Sequence, residues 1–341
     1  MLEYIKRVAD RTFEELPFTE VDNLIFAQLS YLGYEGGALP TALKNLEGGV
    51  TYGVIEKNRE LFEAVIHSRR FRECIALGYA YEFSQKETCQ FAAVSFLLPD
   101  GTAYAAFRGT DSTLVGWKED FMLAFATPVP AQLRAAQYLD EISAALDCPL
   151  RVGGHSKGGN LAVYAAAFCG EAARRNIREI YTNDGPGFEQ EIIDSEEYRA
   201  IRPRIHRFIP ESSVIGELLE NDAEYEIIDS SGIGIFQHNP YSWKTEGCGF
   251  VKKAHTTFVS NVFNFTLRSW LKNMDEDKRR FLTDTLFDIV GAGNARTLRE
   301  AFTDPISLVQ VIAAANRLDR EDKRQLLELA QGFGKVLIKD K

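Results

Sequence analysis

The spacing of apolar residues changes character along the chain, and each change predicts a different element. From Thr19, the stretch TEVDNLIFAQLSYL places Val21, Leu24, Ile25, Leu29 and Leu32 at helical spacing behind a candidate Thr19 cap, which predicts an amphipathic helix. The chain then reads as helical and loop-rich to about residue 85. There the apolar runs shorten. CQFAAVSFLL, the turn Pro99-Asp100-Gly101 and TAYAAFRG predict a hairpin of two apolar strands. VPAQLRAAQYLDEISAAL has helical periodicity, PLRVGGHS is a short apolar strand, and NLAVYAAAFCGEAARR is an alanine-rich helix. EIYTND, RIHRFIP and EYEIID follow as further short strands. Short strands alternating with longer helices predict the α/β class, with a mostly parallel sheet covered by helices on both faces.

From about residue 255 the strand pattern stops. HTTFVSNVF, then DEDKRRFLTDTLFDIV behind Asp275, then ISLVQVIAAANRL after Pro305 predict amphipathic helices. The expected organisation is an α/β core over residues 1–260, including the N-terminal helical segment, and a C-terminal helical extension over 261–341. That extension reads as a cap on the core or as a small bundle. No internal repeat interrupts this order.

Composition narrows the partners more than the fold. Hydrophobic residues make up 45% of the 341 and charged residues 26%, an ordinary globular balance. The net charge of -10 argues against nucleic acid as a partner, because no basic stripe offsets repulsion from phosphates. The opening MLEYIKRVADRTFEELPF carries charges every few residues, so neither a secretion signal nor stable membrane insertion is expected. Cys74, Cys89, Cys148, Cys169 and Cys248 are scattered and never in CxxC spacing. Free thiols in the cytoplasm are therefore expected, rather than a disulfide frame or a zinc site.

The candidate chemistry lies in Gly154-His155-Ser156-Lys157-Gly158, a GxSxG pentapeptide. The pattern carries information only where a strand ends, the chain turns sharply and a helix begins, which is the context here: an apolar strand ends at Val152, and Gly153, Gly154, Gly158 and Gly159 surround the serine. A serine so placed is a candidate nucleophile. It needs a base for its proton and backbone donors for the oxyanion that forms, and the Lys157 amide at the helix start is one such donor. A phosphate-cradling loop is the other use of such a turn, but neither GxGxxG nor GxxxxGK[ST] occurs here. A Ser-Lys dyad is set aside because adjacent positions at a helix start point apart.

Ala106-Phe107-Arg108-Gly109-Thr110, the downstream Trp117 and Asp120, and GGHSKGGNLA resemble the class 3 lipases. Taken together, PDGTAYAAFRGTD, VGWKEDF, GGHSKGGNLAVYAA and TNDGPGF look more closely like the bacterial Mbeg1-like proteins, an α/β-hydrolase group. The resemblance covers roughly residues 15 to 260 and leaves the helical extension outside it. It implies an α/β-hydrolase fold and gives Thr110, after FRG, the role of second oxyanion donor. Lys157 stands where the lipases carry leucine.

The chain order expected of such a site is serine, acid, histidine, each on a loop past a strand end. Three histidines follow Ser156. His206 lies inside an apolar strand and reads as structural, His238 follows GIGIF as a strand end running into a loop, and His255 precedes a predicted helix. The resemblance favours His238. For the acid, Asp184 in Asn183-Asp184-Gly185-Pro186-Gly187 follows the strand after the nucleophile helix, while Glu211 stands one strand later, where the lipases carry their aspartate. Asp184 ranks first and Glu211 second. Phe107, Trp117, Phe121, Met122 and Phe125 read either as core or as lining for an acyl group.

The expected function is hydrolysis of small-molecule acyl esters, lipase-like or esterase-like, through an acyl-enzyme on Ser156. His238 and Asp184 complete the catalytic set, and Thr110 and Lys157 hold the oxyanion. No metal or organic cofactor is expected, since serine acyl transfer needs neither. The alternative is an inactive hydrolase fold kept as a binding or scaffold protein, marked by a site in which no histidine reaches Ser156.

Overall fold

The computed structural model describes residues 1–53, 57–111, 113–123, 125–257, 266, 269–292, 295, 297, 300–301 and 304–339. The chain divides into two compact units. One comprises Met1–Glu82, Phe91–Gly109 and Ala131–Ser260; the other comprises Phe83–Gln90, Thr110–Pro130 and Asn261–Lys341. The second unit thus contains more than the C-terminal helices.

The first unit is built on a sheet. The strands in chain order are β1 (Thr41–Ala42), β2 (Ile75–Ser84), β3 (Cys89–Leu97), β4 (Ala103–Phe107), β5 (Leu150–His155), β6 (Ile177–Asn183), β7 (Ile205–Pro210), β8 (Tyr225–Ile228), β9 (Thr245–Glu246), β10 (Gly249–Phe250) and β11 (Lys252–Lys253). Among the described residues, nine of these form one sheet in the order β1-β2-β3-β4-β5-β6-β7-β8-β11, and β9 pairs with β10 apart from it. From β4 to β8 every neighbour is parallel, whereas β3–β4 and β8–β11 are antiparallel. β3 and β4 are the expected hairpin. Five adjacent parallel strands bring their carboxyl ends to one edge, which is where sites form in such sheets.

Helices cover both faces of this sheet. Neighbouring strand residues point to opposite faces, and a side chain at Gly153 would strike Tyr104 and Asn23, while one at Gly154 would strike the backbone of Gly158. The first face therefore carries α2 (Glu20–Leu29), with α1 (Leu2–Val8) and α3 (Lys57–His67) packed around it. The opposite face carries α6 (Lys157–Phe168). Phe107 on β4 meets Tyr138 edge-on at 5.7 Å, which seats α5 (Pro130–Ala145) on that same side. α2 starts where its sequence predicts: the Thr19 side chain accepts from the Asp22 amide, and Asp22 returns the bond to the Thr19 amide. The fully buried Asp22 also receives Arg70 Nε at 2.9 Å and Tyr4 Oη at 3.0 Å. That network ties α1, α2 and the segment after α3 beneath the sheet.

In the second unit, α4 (Leu114–Met122) packs on Glu276–Val290: Phe121 meets Phe287 edge-on at 5.5 Å, and Lys118 pairs with Asp284 at 2.8 Å. Asp275 caps that helix by accepting from the Lys278 amide, and Asp304 does the same for Ser307 at the start of Pro305–Arg317. Phe125 is buried while Phe121 is 44% exposed. Among the described residues, no helix is long and apolar enough to cross a membrane.

Several expectations need correction. Ile75–Ser84 is a strand, not part of a helical and loop-rich segment. Its alternation is blurred because all but one of its positions are partly buried or exposed. The alanine-rich helix is two helices, Lys157–Phe168 and Glu171–Asn176, divided at Cys169-Gly170, where Cys169 is extended. GIGIF is not a strand: Gly234 has φ +56°, and Gly234–His238 is a short 3-10 turn. The helix expected over HTTFVSNVF lies mostly outside the described residues.

Candidate active site

Ser156 sits between the end of β5 and the start of α6 with φ 59° and ψ -134°, a backbone conformation costly for any residue bearing a Cβ. Two bonds hold it there: its amide donates to the Asn183 carbonyl at 3.0 Å, and its carbonyl accepts from the Gly159 amide at 2.8 Å. The turn is tight because its glycines touch backbone. A Cβ on Gly154 would lie 2.3 Å from the Gly158 carbonyl, and one on Gly158 would lie 2.2 Å from the Phe107 carbonyl oxygen. The half-buried Ser156 is thus lifted above the sheet at the end of β5.

Asp184 repeats the device one strand over. It follows β6 with φ +51°, and its amide donates to the Phe208 carbonyl at 2.8 Å. Its carboxylate is fully buried, and Oδ1 accepts the Ser213 hydroxyl at 2.5 Å and the Gly216 amide at 3.1 Å. Oδ2 faces His238 Nδ1 at 2.6 Å. Burial works to raise the Asp184 pKa, but the bond and charge of His238, together with the Ser213 hydroxyl, outweigh it and hold the carboxyl below its ordinary range.

His238 closes the arrangement. With Nδ1–H donated to Asp184, the ring presents a lone pair on Nε2, which lies 3.0 Å from Ser156 Oγ. A carboxylate, an imidazole and a hydroxyl so ordered have the geometry to pass a proton along the row. The turn bearing His238 is fixed by Gln237, whose side chain accepts from the Ser212 amide at 2.8 Å and whose carbonyl accepts Trp243 Nε1 at 2.8 Å.

Ser156, His238 and Asp184 are therefore brought together, and the alternative acid and histidines are not. Glu211 lies with its carboxylate 4.0 Å from Lys253 Nζ. His206 projects from β7, 44% exposed, stacked on Tyr181 at 4.9 Å. His255 is exposed beyond β11. Lys157 is the first residue of α6, with its side chain buried. Gly109, the last residue of the first unit, lies against the serine, where a Cβ on it would be 3.1 Å from Ser156 Cβ. Thr110 opens the second unit, and its hydroxyl donates to Asp120.

The sequence reading missed His155 altogether. Its ring lies tilted beside that of His238 with centroids 4.6 Å apart, Nε2 lies 2.8 Å from the His238 carbonyl oxygen, and the Tyr31 hydroxyl lies 3.2 Å from Nδ1. Nε2–H is therefore the donor to His238, and Tyr31 donates to Nδ1. Burial, reinforced by His238, keeps this imidazole neutral, with its pKa pushed down to about 3. Its place between glycine and serine was the signal available.

A pH dependence of stability follows. The unfolded chain protonates His155 near pH 6.5, while the folded protein refuses that proton down to pH about 3. Over that window the unfolded state binds more protons, so stability falls as pH falls, by about 1.4 kcal/mol per unit from this group. Urea titrations between pH 6 and 4 should show His155→Gln losing stability on acidification less steeply than the native protein. Equal slopes would remove His155 as the source.

A family model described as Mbeg1-like matches residues 65–288, more than half of the chain. Among solved structures, the M37 lipase is similar at 15% identity, covering 59% of this chain and 69% of that one, with a TM-score of 0.40. The native Rhizomucor miehei lipase propeptide complex is similar at 16% identity, covering 61% and 68%, with a TM-score of 0.40. A triacylglycerol lipase from Penicillium expansum is similar at 14% identity, covering 69% and 90%, with a TM-score of 0.38. No curated protein matches the chain. The sheet, parallel from β4 to β8 and covered by helices on both faces, is an α/β architecture.

Proposed function

We propose that this chain, which belongs to the Mbeg1-like family, is a serine hydrolase that cleaves small-molecule acyl esters through an acyl-enzyme on Ser156. The observation that carries the reading is the continuous relay from Asp184 through His238 to Ser156, at 2.6 and 3.0 Å. Ser156 Oγ attacks the ester carbonyl carbon as His238 Nε2 takes its proton, and the buried Asp184 carboxylate stabilises the imidazolium through Nδ1. The tetrahedral oxyanion is held by the Lys157 amide, where the helix dipole adds to the attraction, and by the Thr110 amide, a role that rests on the FRGT resemblance. Collapse expels the alcohol, which leaves with the proton from His238. Water then repeats the attack on the acyl group with His238 again as base, and Ser156 is regenerated.

The scaffold alternative calls for a serine that no histidine reaches, and the His238 contact favours chemistry instead. The five cysteines form no disulfide, and with Cys74 and Cys169 deeply buried they suit a cytoplasmic setting. A fluorophosphonate probe tests the proposal without requiring the natural ester. The native protein should be labelled, with the adduct on Ser156 by peptide mass spectrometry. A folded protein that stays unlabelled overturns it.

A further inference from the structure

We propose that His155, between glycine and serine in the pentapeptide, is a positioning residue whose Nε2–H grips the His238 carbonyl and sets the His238 ring between Asp184 and Ser156. The inference rests on the function proposed above and assigns it a further residue.

The geometry behind it is specific. His238 lies on a short 3-10 turn, not at the end of a strand, so no sheet ladder fixes its backbone. The neighbouring Gln237 is held by Ser212 and Trp243, but the bond to the carbonyl of His238 itself comes from His155, at 2.8 Å. Because His155 directly precedes Ser156, nucleophile and base are anchored to the same turn. A shift of the His238 backbone would lengthen both the 3.0 Å contact to Ser156 and the 2.6 Å contact to Asp184.

Only one tautomer of His155 can make this bond. Nε2 must carry the hydrogen, and the Tyr31 hydroxyl, just past α2 at 3.2 Å from Nδ1 and 3.4 Å from the His155 carbonyl oxygen, favours that form by donating toward the Nδ1 lone pair. Neutrality matters as well. The rings of His155 and His238 are 4.6 Å apart, so a charged His155 would oppose the imidazolium that His238 must become.

Two substitutions separate the hydrogen bond from simple packing. His155→Phe keeps an aromatic ring beside His238 and deletes the donor; His155→Gln deletes the ring and keeps an amide donor near the Nε2 position. If His155 acts through its hydrogen bond, His155→Phe lowers kcat on a p-nitrophenyl ester, and the rate of fluorophosphonate labelling, about 10- to 100-fold with KM unchanged. His155→Gln should restore both to within about fivefold of native. A packing role predicts the reverse order, with Phe the better substitute. Should His155→Phe fail to fold, Tyr31→Phe decides: about a threefold fall in kcat at native KM supports the assignment, and a native rate overturns it. Native labelling together with an unimpaired His155→Phe, or a folded His155→Gln as slow as His155→Phe, overturns this inference alone. An unlabelled native protein overturns it together with the function.

Discussion

Asp184→Asn is expected to lower kcat for ester hydrolysis about 10⁴-fold while the chain still folds. The side-chain oxygen of asparagine can accept from the Ser213 hydroxyl and the Gly216 amide as Oδ1 does now, so the buried site keeps most of its bonds. What changes is the partner of His238. An amide NH₂ facing Nδ1 from the place of Oδ2 donates where the carboxylate accepted, and the imidazole must move its hydrogen to Nε2. Nε2–H then points at Ser156 Oγ, and the base has no lone pair for the serine proton. The negative charge that would stabilise the imidazolium is lost as well. KM on a p-nitrophenyl ester should change little, since Asp184 is fully buried and does not reach a substrate. His238→Ala should be at least as inactive, and combining it with Asp184→Asn should add almost nothing, because the residues act as one unit. A folded Asp184→Asn protein with native kcat would remove Asp184 from the mechanism.

The parts of this site differ in how far the sequence reveals them, and the reason is chain distance. Ser156 is legible because strand, turn and helix are contiguous, so glycine spacing and apolar runs describe the whole local structure. Helix starts are legible for the same reason: the Thr19, Asp275 and Asp304 caps each bond an amide three residues on. His238 is 82 residues from Ser156, and its element was misread, since Ile233 and Phe236 lie 84% and 76% exposed on a turn whose apolar letters imitate a strand. Candidate histidines and acids could be enumerated, but only the sheet order brings Asp184 rather than Glu211 to the imidazole. β6 lies beside β5, whereas Glu211 follows β7, one strand further away. Ser213, Gly216 and Tyr31 had no signal at all. Each acts on a residue far off in the chain, and a lone serine, glycine or tyrosine in a loop is compatible with many roles. His155 was hidden differently, in full view as the variable letter of a pentapeptide read for its serine.

Gly158→Ala is expected to destabilise the protein by about 2–4 kcal/mol, although helix propensity alone predicts the opposite. Gly158 lies in the first turn of α6, where alanine would ordinarily gain up to about 1 kcal/mol over glycine. The added methyl has no room. Its position is 2.2 Å from the Phe107 carbonyl oxygen and 2.9 Å from both the Arg108 carbonyl carbon and the Gly109 amide nitrogen, all of them backbone that no side-chain rotation can clear. Relief requires α6 to move off the end of β4 by about an ångström, and Ser156 and the Lys157 amide travel with it. Gly109 would then part from the serine it lies beside, and a displacement of that size at the reacting atoms should slow fluorophosphonate labelling about 100-fold. The two readouts together identify the cause: a lower urea midpoint with slowed labelling means that close backbone approach sets the nucleophile. A higher midpoint with native labelling would mean that Gly158 is an ordinary helical position, and that the placement of Ser156 has another origin.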